Sequence, residues 1–176
     1  IELGYTSDLD LVFIHDADPE QSTDGDKPID NAVFYTRLGQ RIVHILNTQT
    51  PSGQLYEVDM RLRPSGSSGL LVSTLSAFEK YQRNDAWTWE HQALARARGV
   101  AGCPETLEAF EKLRADILCQ QRDRGKLREE VVGMREKMRT ALGTPQIEGK
   151  VPEVFHIKHD YGGIIDIEFM VQYLML

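Results

Sequence analysis

Residues Leu9 to Ile14 form an apolar run rich in β-formers, and the run is apolar on both faces. Such a pattern reads as a buried strand, of the kind found inside a helix-covered sheet. At its mouth stand Asp8 and Asp10, in the order Ser7-Asp8-Leu9-Asp10. Side chains alternate along a strand, so two carboxylates at i and i+2 point to the same face. Two anions side by side repel each other and lose solvation, and a divalent cation offsets both effects.

The chain after this strand alternates between strands and helices. Asp16 to Pro28 is a polar loop punctuated by Gly25 and Pro28. From about Asp30 to Leu46, Val33, Phe34, Leu38, Ile42, Ile45 and Leu46 follow a helical period, and Thr50-Pro51-Ser52-Gly53 breaks it. In Gln54 to Arg63, Tyr56, Val58, Met60 and Leu62 alternate with Glu57, Asp59, Arg61 and Arg63, which predicts a strand with one core face and one charged face. Pro64 to Gly69 is a short flexible loop, and Leu70 to Val72 a further short strand.

The remainder is mostly helical. Ser76-x-x-Glu79 has the form of a capping box, and Asp85 suits the cap of a helix from Ala86 to about Arg98 that stops at Gly99. Pro104 opens a helix with Leu107, Phe110, Leu113 and Ile117 on one face. Leu127, Val131, Met134, Met138 and Ala141 form a packing seam that ends at Gly143. Thr144 to Glu153 is a loop, Val154 to Lys158 is extended, and Gly162-Gly163 leads into a terminal apolar helix. The expected fold is an α/β (α+β) core with a mixed sheet over 1–102, followed by the start of a helical bundle over 103–176.

Composition narrows the function classes. The 27 Asp and Glu against 20 Lys and Arg give a net charge of −7, which argues against a protein that coats nucleic acid. The two cysteines, Cys103 and Cys119, form neither a disulfide framework nor a Cys-x-x-Cys metal pair, and a reducing, cytoplasmic setting is expected. No Walker loop, nucleophile elbow or paired-histidine zinc motif occurs. The apolar stretch Phe169 to Leu176 is shorter than the ~20 residues of a membrane span. It reads as a core helix whose packing partners lie downstream of the sequence.

The chemistry-bearing set is Asp8, Asp10 and Asp59, on two strands separated by one helix. Adjacent strands lie about 5 Å apart, close enough for three carboxylates to share one or two hard cations. Two Mg²⁺ ions ~4 Å apart can activate an attacking oxygen and stabilise a leaving phosphate oxygen, which makes phosphoryl or nucleotidyl transfer the natural chemistry. Arg61 and Arg63, expected on the same strand face as Asp59, either bind phosphate or pair with Glu57 and Asp59.

These residues resemble the nucleotidyltransferases of the DNA polymerase β superfamily, and within it the glutamine synthetase adenylyltransferase family. The resemblance rests on Ser7-Asp8-Leu9-Asp10 and on Tyr56-Glu57-Val58-Asp59-Met60-Arg61-Leu62-Arg63-Pro64. Three further stretches carry it: Ser65-Gly66-x-x-Gly69-Leu70-Leu71-Val72, Ala86-Trp87-Thr88-Trp89-Glu90-His91-Gln92-Ala93-Leu94, and Ile157-Lys158-x-x-x-Gly162-Gly163-Ile164-x-Asp166-Ile167-Glu168-Phe169. The Arg63-Pro64-Ser65-Gly66 loop and the Trp87 to His91 segment look more like the adenylylating of the family's two related domains than the removing one. The Gly-Gly turn that the superfamily places ahead of its Asp pair would precede Ile1.

By that resemblance Asp8, Asp10 and Asp59 bind Mg²⁺, and Asp59 is the third catalytic carboxylate and a candidate general base. Ser7, Arg61, Arg63, Ser65, Gly66 and Lys158 are implied to contact the nucleotide and its phosphates. The implied reaction moves AMP from ATP to a tyrosine hydroxyl of glutamine synthetase, or removes it by phosphorolysis. A PII-type signal protein and glutamine are the implied regulators. A nucleotide-sensing module without catalysis is the non-enzymatic alternative.

Overall fold

The computed structural model describes residues 7–54, 56–145 and 154–176. Among them the chain runs β1 (Leu9–Asp10), β2 (Phe13–His15), α1 (Asn31–Leu46), β3 (Val58–Asp59), β4 (Val72–Thr74), α2 (Leu75–Asn84), α3 (Thr88–Leu94), α4 (Pro104–Leu118), α5 (Arg124–Leu142) and α6 (Ile164–Met175). The molecule is therefore a mixed α/β protein with short strands followed by helices. It divides into two compact units: Ile1–Asp85 with Ala101–Phe110, and Ala86–Val100 with Glu111–Leu176.

In the first unit the apolar run forms β1 and β2. The expected sheet takes the form of two parallel ladders, β1 with β3 and β2 with β4. Antiparallel pairing among the described residues is confined to the isolated bridges Ser22–Asp30 and Thr50–Gly53. The β2–β4 ladder sets Phe13 against Val72, Ile14 against Ser73 and His15 against Thr74. Val72 and Phe78 are buried beside it, and the Phe78 ring lies 6.0 Å from that of Phe110.

Helix α1 forms where its period predicts, but it rolls away from the expected face. Val33, Phe34, Leu38 and Ile45 are exposed, whereas Gly39 is buried and Ile42, Val43 and Leu46 are half-buried. The reason is close approach. A Cβ on Gly39 would lie 2.8 Å from Val72 Cγ2, so the helix touches the sheet along its one residue without a side chain. Tyr35, four residues before Gly39, stacks on the buried His15 ring at 4.2 Å.

Helix starts differ from the sequence reading in two places. The cap of α2 is Thr74, whose hydroxyl accepts from the Ala77 N–H at 3.1 Å, so Ser76 and Glu79 form no box there. Helix α3 begins only at Thr88, where the Glu90 carboxylate accepts from the Trp87 N–H at 2.8 Å. Strand β4 likewise starts at Val72, later than expected.

The second unit is helical. Leu94, Ala95, Leu113, Ile117, Leu118, Leu127, Val131 and Ile165 are its buried apolar residues among those described. The carbonyls that end α3 are satisfied by Arg114, which donates to Leu94 O and Ala95 O, both at 3.0 Å. Arg122 does the same for α4, donating to Ile117 O at 2.8 Å and Leu118 O at 2.9 Å. Gly143 closes α5 as expected, with its N–H on Arg139 O. The expected extended stretch Val154 to Lys158 is instead a turn over its last residues. The Asp160 carboxylate accepts from the His156 N–H, the Thr144 N–H and the Thr144 hydroxyl, each at 2.7 Å, and so fixes the chain in that bend. Most of the predicted loop Thr144 to Glu153 lies outside the described residues.

Candidate active site

The β1–β3 ladder places the carboxylates. Leu9 pairs with Val58 and Asp10 with Asp59, held by Leu9 N–H to Glu57 O at 2.8 Å and Leu11 N–H to Asp59 O at 2.9 Å. Partners in register on neighbouring strands show their side chains on the same face. Asp10 and Asp59 are thus side by side. Asp8 lies one alternation before Asp10, and both are exposed while Leu9 and Leu11 are half-buried. Two of the three expected carboxylates come from one strand and the third from its neighbour.

Strand β3 is shorter than the alternation of Tyr56 to Arg63 predicts. It stops at Asp59 because that side chain bonds its own backbone: Oδ1 accepts from the Arg61 N–H at 2.8 Å. An Asp that accepts from the N–H two residues on makes a turn in place of a ladder. Arg61 and Arg63 consequently leave the strand and do not share a strand face with Asp59. Arg61 folds back, and its Nε donates to Asp59 Oδ2 at 2.6 Å, with Nη2 also on that oxygen. Arg63 turns the other way and donates to Met60 O at 2.7 Å, Ser67 O at 3.1 Å and Gly69 O at 3.3 Å.

Arg63 therefore braces the loop that the sequence marks as flexible. Inside it Gly66–Ser68 makes a single 3₁₀ turn, with Gly66 N–H on Arg63 O at 2.8 Å and the Ser68 hydroxyl on Ser65 O at 2.8 Å. Ser65 and Gly66 adopt left-handed φ values of 61° and 55°. A non-glycine residue in that region stores backbone strain, which collects at functional sites and switch segments. Ser7 immediately precedes the exposed Asp8. Lys158 belongs to the second unit and is exposed, with its carbonyl accepting from the Ile165 N–H at 3.2 Å.

Electrostatics follow the bonds. The Arg61 side chain holds the Asp59 carboxyl below the usual carboxylate range; partial burial opposes this, and the Arg61 N–H and the charge of Arg63 assist. Arg61 is raised in return, by Asp59 first and then by the charges of Asp10 and Asp8. All three carboxylates act on one guanidinium. Among the described residues, no group of three or more Asp, Glu, His or Cys side chains is gathered closely enough to hold a metal ion. The donor set fits a hard divalent cation, being anionic and all oxygen. Both oxygens of Asp59 are turned onto Arg61.

A second polar cluster lies in the helical unit. The buried Arg135 donates from Nε to Asp166 Oδ1 at 2.5 Å and from Nη2 to His159 O at 2.7 Å. Arg139 donates to the same Asp166 oxygen at 3.1 Å and lies 3.5 Å over the Tyr161 ring. Asp166 Oδ2 accepts from the Gly162 N–H at 2.7 Å. Asp166 thereby braces the start of α6. No residue type marks Arg135 as buried; its spacing of four from Val131, itself four from Leu127, is the sequence signal that does. The two tryptophans differ in exposure: Trp87, just before α3, is exposed, and Trp89 inside it is half-buried.

Residues 1–113 match the family described as glutamate-ammonia ligase adenylyltransferase. The whole chain is 62% identical over 176 residues to a protein of Hahella chejuensis named bifunctional glutamine synthetase adenylyltransferase/adenylyl-removing enzyme. Proteins of the same name from Pseudomonas putida and Pseudomonas aeruginosa are 63% identical over 185 residues and 59% identical over 183. All of the chain is covered in these matches, and it spans 18% to 19% of the length of those relatives. A match of this extent over the residues that build the carboxylate ladder shows kinship directly: the chain belongs to the glutamate-ammonia ligase adenylyltransferase family.

Proposed function

We propose that this chain is the carboxylate-bearing part of a Mg²⁺-dependent nucleotidyltransferase that moves AMP from ATP to a tyrosine hydroxyl of glutamine synthetase. The observation that carries the reading is the in-register pairing of Asp10 with Asp59, with Asp8 exposed two residues before Asp10. Kinship to enzymes whose names specify glutamine synthetase adenylylation supports the substrate. The short parallel ladders with helices around and after them are compatible with a nucleotidyltransferase-like core.

In this reading Asp8, Asp10 and Asp59 hold the metal. When bound, Mg²⁺ supplies charge to the triphosphate and lowers the cost of deprotonating a hydroxyl near it. A tyrosine hydroxyl has a pKa of ~10 and needs such help at neutral pH. Asp59 is the candidate general base in this reading, an acidic side chain that is ionised at neutral pH. Ser7 and the backbone of Ser65 and Gly66 line the nucleotide, Arg61 meets phosphate, and Arg63 acts through the loop it braces. Pyrophosphate leaves.

The relatives' names also specify removal of the adenylyl group, and the same carboxylates serve a phosphorolytic reaction in reverse. The Arg63-Pro64-Ser65-Gly66 loop favours addition. Labelled ATP and unmodified glutamine synthetase separate the two. Label on glutamine synthetase supports addition; no label, with AMP loss from modified enzyme in phosphate, supports removal. Binding of Mg²⁺-ATP without either turnover would leave a nucleotide-sensing module. Control by a PII-type protein and glutamine, and a cytoplasmic setting, belong to the same proposal; no helix among the described residues is long and apolar enough to cross a membrane.

A further inference from the structure

We infer that Arg61 is an exchangeable counter-ion. It closes on Asp59 while no divalent cation is bound, and is released toward a nucleotide polyphosphate when a cation takes the carboxylates. The inference rests on the metal reading given above and adds a role that the carboxylates alone do not imply.

The first argument is one of occupancy. Asp59 Oδ1 is engaged by the Arg61 N–H, and Oδ2 receives both Nε and Nη2 of the same residue. A guanidinium seated against Oδ2 leaves a cation no room at that oxygen, and its positive charge repels one. The guanidinium contact on Oδ2 and direct ligation through that oxygen therefore exclude one another. Release of the guanidinium restores Oδ2, while the Arg61 N–H bond to Oδ1 is a backbone contact that survives it.

The second argument is the contrast with Arg63. Arg63 is tied to three carbonyls of its own loop. Arg61 is tied through Asp59; its own side chain is 81% exposed and that of Asp59 13%. The guanidinium is therefore the solvated end of the pair and recovers water when it leaves, while a divalent cation takes over the charge of the carboxylate. The turn keeps the Arg61 backbone beside Asp59 throughout, and the freed guanidinium stays within a side chain's length of the site. Its planar fork of donors suits phosphate oxygens.

The third argument is charge. Asp59, Asp10 and Asp8 all act on Arg61, so this single cation offsets the repulsion within the whole set. Removing it should favour a metal in the absence of nucleotide and disfavour the nucleotide in the presence of metal. A purely structural arginine has no reason to move the two affinities in opposite directions.

Mn²⁺ binding followed by EPR, without nucleotide, tests this on wild type, Arg61→Gln, Arg61→Lys and Asp59→Asn. The expected result is several-fold tighter Mn²⁺ binding in Arg61→Gln, a smaller change in Arg61→Lys, and several-fold weaker Mg²⁺-ATP binding in Arg61→Gln by calorimetry. The Nε–Hε resonance of Arg61, identified by its loss in Arg61→Gln, should shift when Mg²⁺ is added to wild type. If Mn²⁺ binding is lost in Asp59→Asn but that resonance stays fixed on Mg²⁺ addition and Arg61→Gln binds as wild type does, the exchange is refuted and the metal site stands. Equal Mn²⁺ binding by wild type and Asp59→Asn would overturn the metal site, and the exchange with it.

Discussion

Asp10 and Asp59 are register partners across the parallel β1–β3 ladder, and they present their carboxylates on one face. Each single substitution to Asn should therefore remove a charge that the proposed reaction uses while leaving the strands paired. AMP transfer to glutamine synthetase is expected to fall by on the order of 10²-fold or more, the scale of losing one electrostatic contact to the transition state. Asp10→Asn should melt as wild type does, because Asp10 is exposed. Asp59→Asn should also lose about 1 kcal/mol with the weakened bond to Arg61 N–H. Undiminished transfer by Asp10→Asn would remove that residue from the site.

Gly69 is required by space rather than by its backbone angles, since its φ of −80° suits any residue. A Cβ there would lie 1.8 Å from Pro64 O. Gly69→Ala must open the loop that Arg63 braces, at a cost of about 1–3 kcal/mol, comparable to overpacking a core. Gly25→Ala is the control: nothing lies within 4 Å of its Cβ position. Thermal melts of the two should separate clearly, and equal melting temperatures would contradict the loop geometry.

Arg135 and Asp166 form an ion pair whose arginine side chain is 7% exposed. Breaking such a pair from one side leaves a charge without its partner, so Asp166→Ala should cost about 3–5 kcal/mol in chemical denaturation. Arg135→Met with Asp166→Leu should cost less than the two single changes together. The double change does not restore wild-type stability, because Asp166 also holds the Gly162 N–H and Arg139. Additive single effects would show that the pair is not coupled.

Acid should weaken the fold in two stages. Burial lowers the pKa of His15, against the pull of Asp16 and the Ala17 backbone. Burial lowers that of His159 as well, with help from His156, Lys158 and Arg135 and against Asp160. The unfolded chain takes up these protons first, so stability falls as pH drops below about 6.5 and continues to fall until the folded histidines protonate. Asp160 is depressed by the Thr144 N–H, the His156 N–H and the Thr144 hydroxyl, against partial burial. In Asp166 burial acts upward, but the Gly162 N–H and the two arginines outweigh it and the net shift is down. Stability from these carboxylates is complete above about pH 4 and is lost as pH falls through their depressed folded values. Melting temperature against pH should show both stages. If the upper stage is unchanged in the protein carrying both His15→Gln and His159→Gln, its assignment is wrong.

Much of the fold was legible because local periodicity is set by the chain's own geometry. The helical period over Val33 to Leu46, Pro104 at the start of α4 and Gly143 at the end of α5 all mark real elements. What periodicity does not contain is which way an amphipathic helix rolls. The exposed Phe34 and Leu38 of α1 have the residue types of a core face, and the absent side chain of Gly39 overrules them by admitting Val72. The same limit applies to Arg135, a charged residue in a row of buried apolar ones, which becomes buried because Asp166 and the His159 carbonyl satisfy it.

The sequence by itself determined that Asp10 lies on one strand and Asp59 on a second, and that AMP-transferring enzymes are the kin, because alternation and motif spacing are properties of the linear chain. Only the tertiary structure decided the rest. It set Asp10 against Asp59 in register, ended β3 at Asp59, and parted two arginines that a regular strand would have kept on one face. The physical reason is competition for hydrogen bonds. The Asp59 carboxylate bonds the Arg61 N–H and so makes a turn there, and the carbonyls of the loop that follows take the guanidinium of Arg63. One arginine thereby remains with the carboxylates and the other holds the loop.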